Sequence, residues 1–185
     1  MTSNAIDIGS AKRVPAEWEP QEAIWLQWPS DFERVFQPAF SRMTAIISRY
    51  EKLNIVFDSE SDREQARDAI VNAGADPDHA SIHWLQIPND SAWMRDNGPV
   101  YVVEGGELRI QNWEFNAWGG AFGSHIPFDQ DNRVPSHIGE QLGVPNANQQ
   151  EGQDGISIFS PAGYTGIGHS RSLPIFRRER TFQKS

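Results

Sequence analysis

Two hydrophobic periods take turns along this chain. Ala23 to Trp28 is a mostly apolar run closed by Pro29, which predicts a short buried strand. From Phe36 the period lengthens, and Phe36, Phe40, Met43, Ile47 and Tyr50 fall on one stripe of a helix. Leu53 to Phe57 returns to a compact apolar strand. Ser61-Asp62-Arg63-Glu64 has the form of a capping box. It opens a second helix with Ala66, Ile70 and Ala73 inward, and Gly74 is placed to stop it. Ile82 to Ile87 is the next strand, and Val100 to Val103 pairs with Leu108 to Asn112 as a hairpin about Gly105-Gly106. After a glycine-rich loop at 119–123, Asp131 to Leu142 forms a third helix, with Val134, Ile138 and Leu142 inward and Gly143 ending it. Strand, helix, strand, helix, strand, hairpin, helix is an α/β order.

The flanks read differently. Residues 1–13 are expected to be a flexible lead-in, and the two prolines of Val14-Pro15-Ala16-Glu17-Trp18-Glu19-Pro20 forbid a regular ladder there. Residues 149–185 show no helical or strand period, and their charge has the opposite sign. Residues 161–185 hold five basic groups (Arg171, Arg177, Arg178, Arg180, Lys184) and one acid, Glu179. Residues 1–160 keep eleven basic against twenty-four acidic groups. The expected organisation is therefore a folded unit over 14–148 and a divergent basic tail over 149–185.

Composition narrows the classes. The length of 185 residues suits one core, and 38% hydrophobic with 22% charged residues is globular. No apolar run approaches the roughly 18 residues of a membrane span. Met1 to Ser10 lacks the basic and apolar regions of a secretory signal, so a cytoplasmic location is expected. A net charge of -9 argues against nucleic acid, which needs a basic surface, and suits a cationic ligand; acidity is also simply common in soluble proteins. There is no cysteine, which removes disulfides, thiolate metal sites and a cysteine nucleophile. The five histidines fall in no H-E-x-x-H or H-x-D arrangement, so no metal site is expected. No serine elbow G-x-S-x-G occurs either.

The chemistry gathers in two stretches. Trp93-Met94-Arg95-Asp96-Asn97-Gly98-Pro99 is followed fourteen residues on by Trp113-Glu114-Phe115-Asn116-Ala117-Trp118-Gly119-Gly120. Four of the seven tryptophans lie between 84 and 118. Asp96, at a strand end before an Asn-Gly-Pro turn, can point into a cleft. Its two oxygens match two N–H groups of a guanidinium. Trp93 can add a cation–π contact worth about 0.5–2 kcal/mol, and Asp90 a second negative charge. Arg95 can equally tie its loop to the backbone. Trp113 and Phe115 alternate as in a half-buried strand. Asn116 and Trp118, where that strand breaks into glycine, suit a site wall as well as packing.

These residues resemble the agmatine deiminase and bacterial peptidylarginine deiminase family. Pro15-Ala16-Glu17-Trp18-Glu19-Pro20-Gln21-Glu22, Trp25 and Trp28-Pro29 are similar to its opening. Pro127-Phe128-Asp129-Gln130-Asp131, with Val134-Pro135, is similar to the segment after its glycine loop. The likeness runs in order from about Arg13 to about Pro145. It implies a propeller of ββαβ modules, the pentein architecture, with this chain supplying about two blades and part of a third. It implies hydrolysis of a guanidinium to a ureido product and ammonia, for agmatine giving N-carbamoylputrescine on the way to putrescine. No metal or organic cofactor is implied.

In the family a cysteine thiolate attacks, a histidine moves protons, and two aspartates hold the guanidinium. Asp96 matches the first aspartate, and Trp93, Asp90, Asn116 and Trp118 are the expected substrate-binding residues. The family's H-x-D and its cysteine-bearing end are absent here. The chain is therefore expected to be a truncated, inactive member, with a frameshift as one origin of its tail. The expected partner is a small cationic guanidine, with no nucleic acid and no membrane; intact relatives imply a homodimer. Peptidyl-arginine or free arginine as substrate, a non-catalytic guanidinium or polyamine binder, and a tryptophan-rich sugar module are the alternatives.

Overall fold

A computed structural model describes residues 12–16, 18–123 and 125–146. The expected basic tail, and the lead-in up to residue 11, lie outside the described residues. Arg13, expected in that lead-in, is tied down: its backbone exchanges hydrogen bonds with Val103 at 2.9 and 2.8 Å.

The order is β1 (Ile24–Gln27), a 3-10 turn (Asp31–Phe36), α1 (Gln37–Ile47), β2 (Leu53–Phe57), α2 (Glu60–Asn72), β3 (Ile82–Gln86), the single turn α3 (Met94–Asn97), β4 (Val100–Glu104), β5 (Glu107–Gln111), a turn at Ala117–Gly120, a 3-10 turn (Asp131–Arg133) and α4 (Val134–Leu142). The α/β expectation holds. β1, β2 and β3 form a parallel sheet in that order, and β4 and β5 a separate antiparallel pair. Each parallel crossover carries a helix, as parallel pairing requires.

β2 lies in the middle and feeds two cores by alternation. Leu53, Ile55 and Phe57 point to one face with Leu26, Trp28, Ala66, Ile70 and Ile82. Val56 points to the other, with Ile87, Met94, Tyr101, Ile110, Val134 and Ile138. The sheet is thus covered on both sides. The second side, made by α3, the hairpin and α4, carries the candidate site.

Three local expectations shift. The capping box is Ser59 with Asp62, not Ser61 with Glu64: Ser59 Oγ accepts from Asp62 N at 3.2 Å, and Asp62 accepts from Ser59 N at 3.1 Å. The chain leaves β2 at Phe57, so the earlier serine reaches the helix start first. In α1 the buried face is Ser41, Thr44 and Ala45, while Phe36, Met43 and Tyr50 are exposed. Phe40 and Ile47 of the expected stripe do pack against the first core, Phe40 edge to face with Trp28, so the stripe is buried only in part. In α4 Val134 and Ile138 are buried but Leu142 is exposed. Gly143, at φ 65°, reverses the chain; Val144 N donates to Gly139 O at 2.9 Å, and Val144 packs on the core in place of Leu142.

The hairpin forms as expected. Gly105 and Gly106 have φ of 60° and 86°, the two left-handed positions of a type I′ turn. No helix among the described residues is long and apolar enough to cross a membrane.

Candidate functional site

β3 ends in Ile87-Pro88, and the chain crosses the C-terminal end of the parallel sheet as the loop 88–93. A buried carboxylate holds that loop. Asp131 is fully buried, and its Oδ1 accepts from Gln27 Nε2 at 2.8 Å, Asp90 N at 2.9 Å and Ser91 N at 3.2 Å. Its Oδ2 accepts from Ser91 Oγ at 2.5 Å. Asp90 answers in the opposite direction, accepting from Gln130 N at 2.8 Å and Asp131 N at 3.3 Å. β1, the loop 88–93 and the turn at 131–133 are therefore one hydrogen-bonded unit. Burial pushes the Asp131 carboxyl above the ordinary range, against the pull of its Ser91 and Asp90 donors.

Beyond this clasp the chain makes one helical turn. Asp96 N and Asn97 N donate to Trp93 O at 2.8 and 3.0 Å, and Gly98 N to Met94 O at 3.0 Å. Asp96 is thus on a helical turn, not at a strand end. Met94 and Asn97 face inward and leave Asp96 half-buried. Burial raises its pKa; an indole hydrogen bond from Trp118 and the charge of Arg95 pull the other way.

Trp118 reaches Asp96 from an unusual backbone. Residues 117–120 all have positive φ: Ala117 50°, Trp118 57°, Gly119 67° and Gly120 74°. Each non-glycine residue in that region costs roughly 1–2 kcal/mol. Gly119 and Gly120 avoid the cost, whereas Ala117 and Trp118 bear it. Such strain persists where surrounding contacts over-determine it, and it collects at binding sites. The contacts here are aromatic. Trp118 meets Trp93 edge to face with centroids 6.0 Å apart, Phe115 at 5.3 Å and Phe122 at 5.1 Å. Phe36 also meets Trp93 edge to face, at 6.1 Å.

The structure thus brings Trp93, Asp96 and Trp118 together. The other two expected site residues, Asp90 and Asn116, make hydrogen bonds within the protein. The Asp90 oxygens are taken up by Gln130 and Asp131, so it braces the loop. Asn116 Oδ1 accepts from Gly119 N at 2.9 Å and caps the left-handed turn. The Asn116 bond is local turn chemistry, whereas the Asp90 bonds reach residues 40 and 41 positions away. Phe115 is buried as expected, but in an irregular segment, not a strand. Sequence reading missed Glu33 and Asp131. Both are buried acids, and only their partners, 59 and 40 residues away, reveal them. Among the described residues no cluster of His, Cys, Asp and Glu could hold a metal.

A half-buried carboxylate beside two perpendicular indoles can accept two N–H groups of a flat cation and cover its face. The agmatine deiminase of Pseudomonas aeruginosa (strain LESB58) is 35% identical over 134 residues, covering 68% of this chain and 34% of that protein. The agmatine deiminase of Pseudomonas syringae pv. tomato is 33% identical over 145 residues, 74% of this chain and 37% of its own length. The structure of the Enterococcus faecalis agmatine deiminase superposes with a TM-score of 0.62 at 32% identity, over 75% of this chain and 38% of that one. The chain spans about a third of the length of these curated relatives. The sequence profile of the Porphyromonas-type peptidyl-arginine deiminase family matches residues 13–165, running past Pro145, where the likeness was expected to end. This chain belongs to the Porphyromonas-type peptidyl-arginine deiminase family.

Proposed function

We propose that this chain carries the guanidinium-holding part of an agmatine deiminase-type site. The observation that carries the reading is Asp96 held half-buried against the Trp118 indole, with Trp93 standing perpendicular to it. In this reading the Asp96 carboxylate accepts two guanidinium N–H groups, a charge-assisted fork. Trp93 and Trp118 cover the cation and exclude water, which strengthens that pairing. Asp90 and Asn116 support the site through the backbone and do not touch the ligand.

The reaction of the agmatine deiminase type is hydrolysis of agmatine to N-carbamoylputrescine and ammonia. It needs a nucleophile at the guanidinium carbon, a thiolate in the mechanism that the resemblance implies. This chain has no cysteine. Loss of a catalytic nucleophile costs about 10⁶-fold in rate, so the 185-residue chain is expected to bind guanidinium without turnover. The propeller architecture, with about two blades and part of a third here, belongs to the same proposal. The parallel β1–β2–β3 sheet with its helices and the β4–β5 hairpin support it.

The test is calorimetric titration of the purified chain with agmatine, arginine and a peptidyl-arginine, alongside an ammonia-release assay. Agmatine heat without ammonia is the expected result. Ammonia release would overturn the predicted inactivity. Absence of heat at millimolar agmatine would overturn the binding reading. Preference for arginine or the peptide would shift the substrate class.

A further inference from the structure

The 3-10 turn Asp31–Phe36 lies 60 residues from the loop it touches, yet it meets that loop at every third residue. Ser30 Oγ donates to Asp90 O at 3.3 Å. Glu33 Oε2 accepts from Ala92 N at 2.6 Å. Phe36 packs edge to face on Trp93. A 3-10 helix has three residues per turn, so positions i and i+3 eclipse. Ser30, Glu33 and Phe36 therefore form one ridge, laid along Asp90, Ala92 and Trp93. An α-helix would rotate this ridge away after one turn, which explains why the segment is 3-10 before α1 begins.

Glu33 is the unusual member of the ridge. It is 3% exposed, on a turn whose other charged groups, Asp31 and Arg34, are exposed and paired with each other. A buried carboxylate has a cost unless it meets donors. It meets two, the Ala92 backbone N–H and the Trp93 indole N–H. Among the described residues the other charged group that bears on it is Asp131, across the loop, and like charge there gives no stabilisation. Its hydrogen bonds thus serve the residue beside Asp96 and not its own helix.

We propose that Glu33 is a positioning residue for the guanidinium site, fixing the Ala92–Trp93 backbone and the Trp93 indole so that Trp93 stands perpendicular to Trp118 over Asp96. Phe36 packs edge to face on the same indole. The functional arm of this inference rests on the guanidinium reading above; the geometric arm does not.

The experiment uses the full ¹⁵N-labelled chain. Seven tryptophans give seven indole N–H signals, and Trp93→Phe and Trp118→Phe identify two of them. Burial holds the Glu33 carboxyl above the ordinary carboxylate range. The Trp93 indole signal should therefore inflect with pH above that range, and Glu33→Gln should abolish the inflection. Glu33→Gln should also shift both the Trp93 and Trp118 signals and weaken agmatine binding about tenfold. A Glu33 that served stability alone would lower the melting temperature and leave both indole signals in place, which would overturn the proposal. Indole signals that respond as expected in a chain that binds no agmatine would retain the positioning role and sink the guanidinium reading. The wild-type titration needs no substitution: absence of any Trp93 inflection overturns the proposal even where Glu33→Gln folds poorly.

Discussion

Asp131→Ala is the most informative perturbation of this fold. The carboxylate is fully buried and accepts from Gln27 Nε2, Asp90 N, Ser91 N and Ser91 Oγ. Each bond to a charged group contributes about 1.5–3 kcal/mol, and each buried donor left without a partner costs about 1–3 kcal/mol. Desolvation of the carboxylate offsets much of the gross sum, and water entering the vacated space satisfies some donors. A net loss of about 2–4 kcal/mol follows from the neutral donors left without their acceptor. Against a total of roughly 5–15 kcal/mol for a domain, that is severe. Asp131→Asn keeps one acceptor oxygen for the three Oδ1 donors and should lose about 1–2 kcal/mol. Urea denaturation followed by far-ultraviolet circular dichroism measures both. A loss below about 1 kcal/mol for the alanine variant would refute the clasp as the tie between β1 and the loop 88–93.

Three further outcomes are expected. Asp96→Asn should weaken agmatine binding roughly ten- to a hundredfold, the worth of about 1.5–3 kcal/mol for a charged hydrogen bond; calorimetry showing unchanged affinity would remove Asp96 from the site. Glu33, Asp58, Asp96 and Asp131 are all held above the ordinary carboxylate range, burial being the first cause in each. The folded state then binds more protons than the unfolded state between the two values. The stability they contribute is full below the unfolded carboxylate range and is lost as pH rises through their folded values. Melting temperature should rise as pH falls from neutral into that window, and Glu33→Gln should flatten the rise; a curve of the same slope in both proteins would contradict the assignment. Ser59→Ala should lose about 1 kcal/mol through the α2 cap, whereas Ser61→Ala should change thermal stability little, and the reverse ranking would restore the alternative capping box.

Trp93 and Asp96 share one helical turn, which is local, but tertiary contacts bring Trp118 to them. Asp90 and Asn116, expected at the ligand, accept from the backbone N–H groups of Gln130 and Gly119. Asp131 was read only as part of a motif, and Glu33 was not read at all. An acid on an exposed-looking turn gives no local sign that it will be buried.

The sequence alone determined the elements whose rules are local. The compact apolar run Leu53–Phe57 specified a strand. Adjacent glycines at 105 and 106 specified the type I′ hairpin, and Gly143 the end of α4. Only the tertiary structure decided which face of α1 is buried, where α2 is capped, and how the site is braced. In α1, Ser41, Thr44 and Ala45 are buried and only Phe40 and Ile47 of the apolar stripe pack on the core. The ties from Asp131 to the loop 88–93 and from Glu33 to Ala92 join residues 40 and 59 apart. The left-handed course through Ala117 and Trp118 opposes local preference, and the aromatic contacts around Trp118 hold it. Periodicity and turn residues act within a few positions, so a sequence shows them. Burial of a charge, and strain in a backbone, depend on groups that only folding brings near.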